Sequence, residues 1–182
     1  MNRAQGRLYT WANLLTGVRL AAIPVSVWAV IYAQWNTALI VFVFAAVTDL
    51  LDGPVARRLN EASPLGGLFD HATDAAFVTC TLAACAAYHV VPWPLVFLIP
   101  AAFLQYTFDS HVLAGQSLRT SSLGRINGIA YFVLTGTVVV REGVGLSWPP
   151  LALVNAFGWL LVISTLLSMA DRWVPWRRLR AH

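Results

Sequence analysis

A chain of 182 residues that is 58% hydrophobic and only 11% charged is too apolar for an ordinary soluble domain, and its length fits one domain spanning residues 1–182. All twelve basic residues are arginine, against eight Asp and Glu, for a formal net charge of +4. No basic patch with interleaved aromatics occurs, which argues against nucleic acid; the arginine excess fits membrane topology and anionic lipid headgroups.

This pattern predicts an all-α integral membrane protein with six transmembrane helices. Residues 2–12 form a polar and aromatic lead with Arg3 and Arg7, expected to be a short N-terminal interfacial helix. Residues 13–33, NLLTGVRLAAIPVSVWAVIYA, are the first apolar span. A charged lead before an apolar run also suits a signal peptide. Asn13, Thr16 and Arg19, however, recur at helical spacing inside the run, which suits a packed helix better. Arg19 reads either as a phosphate-facing residue or as one snorkelling to the interface.

A turn near Gln34 leads to the second span, 37–57, with Asp49 and Asp52 near its end. Residues 58–65, RLNEASPL, form a polar loop in which Glu61 reads as a solvated charge and Ser63 as a loop serine, with a nucleotide contact as its alternative. The third span, 66–91, carries Asp70 and Asp74 near its start. Cys80 and Cys85 within it point about 140° apart on a helix, so they read as small hydrophobes and not as a ligand pair or a disulfide. His71 points about 100° away from Asp70 and is expected to be structural or interfacial. His89, beside Pro92, is expected to be interfacial.

The fourth span, 94–113, holds Gln105, Tyr106, Asp109, Ser110 and His111 toward its end. Asp109 either shapes a polar pocket or pairs with an arginine. The loop AGQSLRTSSLGR carries Arg119 and Arg125 into the fifth span, 124–140. After REGVGLSWPP comes the sixth, 151–170, and then a basic, aromatic tail, DRWVPWRRLRAH, that fits a membrane-surface anchor. Each span is long enough for a hydrocarbon core of about 30 Å. Ten arginines fall at span ends on one side, and only Arg141 falls on the other. The positive-inside rule therefore puts both termini and the aspartates on the cytoplasmic side of a multi-pass protein of the inner (cytoplasmic) membrane.

The stretch 49–74, DLLDGPVARRLNEASPLGGLFDHATD, carries the chemistry. Asp49 and Asp52 share one helix face, and Gly66, Asp70 and Asp74 recur at i, i+4 and i+8 on another. Carboxylates beside apolar segments mark function by default. Four of them converging with no Lys or Arg between would repel, so either one is protonated or cations sit among them. Hard oxygen donors in that number suit Mg²⁺ or Mn²⁺, and two such ions about 4 Å apart form a clamp for phosphoryl chemistry. Gly53 and Gly66 leave room for a ligand near the backbone, and Arg57, one turn on, suits a phosphate.

The spacing Asp49-x2-Asp52-Gly53-x2-Ala56-Arg57-x8-Gly66-x3-Asp70-x3-Asp74 resembles the full signature of the CDP-alcohol phosphatidyltransferase family, with every fixed position matched. The entry to the first span, NLLTGVRLAAIP, resembles that family too, with Ala12 where a proline is common. The resemblance implies a donor such as CDP-diacylglycerol and two Mg²⁺ or Mn²⁺ ions held by Asp49, Asp52, Asp70 and Asp74. It implies a CDP site lined by Asp49, Asp52, Gly53, Ala56, Arg57, Gly66 and Asp70, and Asp74 as the catalytic base. A small polar alcohol is the implied acceptor, and a homodimer the implied assembly. Arg119 and Arg125 are candidates for an acceptor phosphate. The short chain and its N-terminal stretch resemble phosphatidylglycerophosphate synthases, which favours glycerol 3-phosphate. Arg125 stands where those enzymes often carry lysine, so inositol phosphate, serine and other alcohols stay open. A divalent-cation transporter is the alternative of another class; it predicts carboxylates near mid-bilayer along several helices, unlike this cluster.

Overall fold

The computed structural model describes residues 11–59, 64–109 and 122–179. It is all helical over these residues. The helices are α1 (Trp11–Ile31), α2 (Trp35–Arg58), α3 (Pro64–Ala87), α4 (Trp93–Asp109), α5 (Ser122–Val144) and α6 (Leu151–Leu179). Each overlaps in position one of the six expected segments, and three of them are long and apolar enough to cross a membrane. Residues 2–10 of the N-terminal lead, residues 60–63 with Glu61 and Ser63, and Ser110, His111 and Arg119 lie outside the described residues; the end of the lead, from Trp11, belongs to α1. The basic tail is not a separate element: α6 continues through it to Leu179.

The helices end for local reasons. Ala33, His89 and Gly145 adopt positive φ just past α1, α3 and α5. In each case the next amide reaches back five residues: Gln34 to the Ala29 carbonyl at 2.7 Å, Val90 to Cys85 at 3.2 Å, Leu146 to Arg141 at 2.8 Å. This satisfies carbonyls the helix end would otherwise orphan. Pro24 and Pro100 sit inside α1 and α4, as proline does more often in membrane helices than in soluble ones.

Packing follows two four-helix rings that share an edge. One is α1, α2, α5 and α3; the other is α3, α4, α6 and α5. Helices α3 and α5 belong to both. Phe42, Phe132 and Phe77, from α2, α5 and α3, pack in sequence, the first pair tilted and the second stacked, with centroids 5.0 and 6.4 Å apart. Ser26 and Thr81 bond at 2.9 Å between α1 and α3, and Tyr131 and Thr165 at 2.5 Å between α5 and α6. Outward faces carry large apolar residues, such as Ile40, Phe97 and Ile163. A belt of that size is stable only against lipid or a partner. Leu14–Ile31, Ser122–Val144 and Leu151–Asp171 are each long and apolar enough to cross a membrane; α2 and α4 hold shorter apolar stretches, Trp35–Leu51 and Trp93–Phe108.

Candidate active site

The site begins on α1. Thr16, Arg19 and Ser26 lie at helical spacing and are all buried. This polar stripe therefore faces neither water nor lipid but α2 and α3. Arg19 is 0% exposed, so the snorkelling reading is wrong. Its Nη1 lies 3.3 Å from Asp49 Oδ1 and 3.0 Å from Asp70 Oδ1, and also bonds Asp74 Oδ1.

Three helices thus deliver one cation and three carboxylates to one point. The expectation that no arginine stands between the aspartates needs correction. Arg19 arrives from 30 residues upstream of Asp49, a distance no local motif spans. Its nearest clue in the sequence was its place on the polar stripe of the first span. Among the described residues, one guanidinium against three carboxylates leaves a net negative site. Charges this poorly hydrated persist only when paired.

His71 is closer to the chemistry than its helical angle suggested. Its Nδ1 is 3.9 Å from Asp70 Oδ2, and its ring centroid is 6.4 Å from that of Tyr106. Asp70, His71 and Asp74 each offer a ligand atom, all within 4.8 Å of one another. These donors fit a divalent ion: Arg19 takes Oδ1 of each carboxylate, and a carboxylate binds through two oxygens.

A cavity of about 730 Å³ opens from this cluster. Asp49, Asp70 and Asp74 form one wall; Gln105, Asn127 and Ser168 lie on the walls from α4, α5 and α6. Arg125, exposed at the start of α5, lines it as well. Of the residues foreseen for the site, Asp49, Gly66, Asp70, Asp74 and Arg125 are described in full, and Gly66 lies in the first turn of α3, one turn before Asp70. Asp52, Gly53, Ala56 and Arg57 continue α2 past Asp49, and Asp109 ends α4; their side chains lie outside the described set. Arg119 lies outside the described residues altogether.

Asn127 was not foreseen as a site residue. It is 3% exposed and accepts a hydrogen bond from Ser164 at 2.6 Å. A polar residue one helical turn inside an apolar span was its only signal.

The sequence model of CDP-alcohol phosphatidyltransferases matches residues 9–170. A stretch of 92 residues is 38% identical to a putative cardiolipin synthase of Mycobacterium tuberculosis strain H37Rv, covering 49% of this chain and 43% of the relative. A cardiolipin synthase (CMP-forming) of Streptomyces coelicolor is 33% identical over 101 residues, 52% of this chain and 47% of the relative. A CDP-diacylglycerol–glycerol-3-phosphate 3-phosphatidyltransferase of Pseudomonas fluorescens is 35% identical over 96 residues, 50% of this chain and 47% of the relative. The matched stretch spans less than half the length of each of these relatives.

Proposed function

Because the chain belongs to the CDP-alcohol phosphatidyltransferase family, we propose that it moves a phosphatidyl group from CDP-diacylglycerol to an alcohol and releases CMP. The observation that carries this reading is the meeting of Asp49 with Asp70 and Asp74 at the wall of one large cavity. An acceptor hydroxyl attacks the phosphorus on the lipid side of the diphosphate. The new P–O bond forms as the bond to CMP breaks, and Asp74 takes the hydroxyl proton. Arg19 holds Asp74 and Asp70 in place for that task. Gly53, Ala56, Arg57 and Gly66, with Asp49, Asp52 and Asp70, line the CDP site.

Asp49, Asp52, Asp70 and Asp74 would hold two Mg²⁺ or Mn²⁺ ions, which when bound neutralise the diphosphate and stabilise departing CMP. All six helices cross the bilayer, with both termini and the site on the cytoplasmic face of the inner membrane. The arginine distribution supports that orientation. The protein works as a homodimer.

The acceptor is a glycerol ester of phosphate. Glycerol 3-phosphate is favoured by the Pseudomonas relative's name and by Arg125 at the cavity. The cardiolipin synthases favour a second reading: cardiolipin carries two phosphatidyl groups on one glycerol, so a CMP-forming synthase needs phosphatidylglycerol as acceptor. Purified protein given CDP-diacylglycerol and Mg²⁺ or Mn²⁺ tests both. CMP release is expected with one of the two acceptors and only with the divalent ion. Asp74→Asn is expected to lower it by about 100-fold or more. No release with either acceptor sinks the reading, and full activity in Asp74→Asn removes that residue as the base.

A further inference from the structure

Asn127 on α5 and Gln105 on α4 line the same cavity. Each amide is anchored at one end. Asn127 Oδ1 accepts from Ser164 Oγ at 2.6 Å, and Gln105 Nε2 donates to the Met169 carbonyl at 3.0 Å. The opposite ends, Asn127 Nδ2 and Gln105 Oε1, are buried with no hydrogen-bond partner among the described residues. Buried amides left half-bonded are rare and costly, and two on one cavity point to a ligand.

The two open groups are complementary, since one donates and the other accepts. A hydroxyl satisfies both, accepting on its oxygen and donating its proton. A phosphate or carboxylate accepts only and would leave Gln105 unmet; an ammonium donates only and would leave Asn127 unmet. Nearby Tyr131 and Thr165 bond to each other and bring no charge.

We propose that Asn127 and Gln105 form a subsite for an uncharged, non-reacting hydroxyl of the acceptor. This rests on the reading that the acceptor is a glycerol ester of phosphate. Such a group has a terminal hydroxyl that attacks and a middle hydroxyl that does not. Asn127 and Gln105 recognise the middle one. Glycerol 3-phosphate and the phosphatidylglycerol headgroup share it, so the subsite selects glycerol in either setting.

The test measures CMP release by the full chain in detergent with CDP-diacylglycerol and Mg²⁺. One arm compares glycerol 3-phosphate with 3-hydroxypropyl phosphate, which lacks only the middle hydroxyl. The other compares phosphatidylglycerol with phosphatidyl-1,3-propanediol. In whichever arm is active, the wild type should favour the hydroxylated acceptor at least about tenfold in kcat/KM. Asn127→Asp and Gln105→Met should each erase that preference while leaving the KM for CDP-diacylglycerol unchanged. The wild-type comparison needs no variant, so misfolding cannot hide a failure. Equal use of both members of a pair, or variants that keep the preference, would overturn the subsite and leave the transferase reading intact. No CMP release with any acceptor would overturn both.

Discussion

Arg19 joins a buried position to three carboxylates that remain partly exposed. The arrangement lets α1 hold Asp49 on α2 and Asp70 and Asp74 on α3. Removing the guanidinium would leave the carboxylates facing one another. Arg19→Ala is therefore expected to destabilise the fold by about 3 kcal/mol, read as a lower melting temperature in detergent. Arg19→Lys should recover part of that loss, because an ammonium keeps the charge but lacks the planar fork. A melting temperature unchanged in Arg19→Ala would show that the contact does not hold the helices. The aspartates were legible from their spacing alone. Arg19 was visible only as a polar residue on an apolar helix, since what it touches is set by packing.

Among the elements, the turn between α3 and α4 shows how closely the helices fit. Pro92 packs on Gly158 of α6, and Asn155 reaches the Val90 carbonyl at 3.4 Å. A Cβ at position 158 would stand 2.5 Å from Pro92 Cδ and 3.1 Å from its Cγ. A proline ring cannot swing aside as a flexible side chain would. Gly158→Ala should cost about 1–3 kcal/mol, measured against Gly17→Ala, whose Cβ would meet nothing within 4 Å. Equal melting temperatures for the two variants would contradict this packing. Helix number and order were readable from the apolar runs and their polar breaks. The helix ends were harder. Gly145 is an ordinary cap residue, but Ala33 and His89 take the same left-handed conformation without glycine.

For the whole molecule, the shared α3–α5 edge matters most. It lets one cavity touch the aspartates in the first ring and Gln105, Asn127 and Ser168 in the second. The outward apolar belt implies a bilayer around both rings. The proposed orientation predicts that Gln5→Cys and Ala181→Cys label only from the cytoplasmic side of sealed membrane vesicles. Leu146→Cys, just past the α5 cap, should label only from the opposite side. Labelling of position 146 and the termini from the same face would overturn the six-span arrangement.

The sequence by itself determined the helical class, the family and the spacing of the four aspartates. Those depend on composition, apolar period and fixed local spacing, which are one-dimensional quantities. Tertiary structure alone decided that Arg19 neutralises part of the cluster and that Asn127 and Gln105 share its cavity. These meetings join residues 30 or more positions apart in the chain, on helices whose mutual rotation no local pattern encodes. Rotation comes from packing, through contacts such as Phe42 on Phe132 and Pro92 on Gly158, and packing is a property of all six helices together.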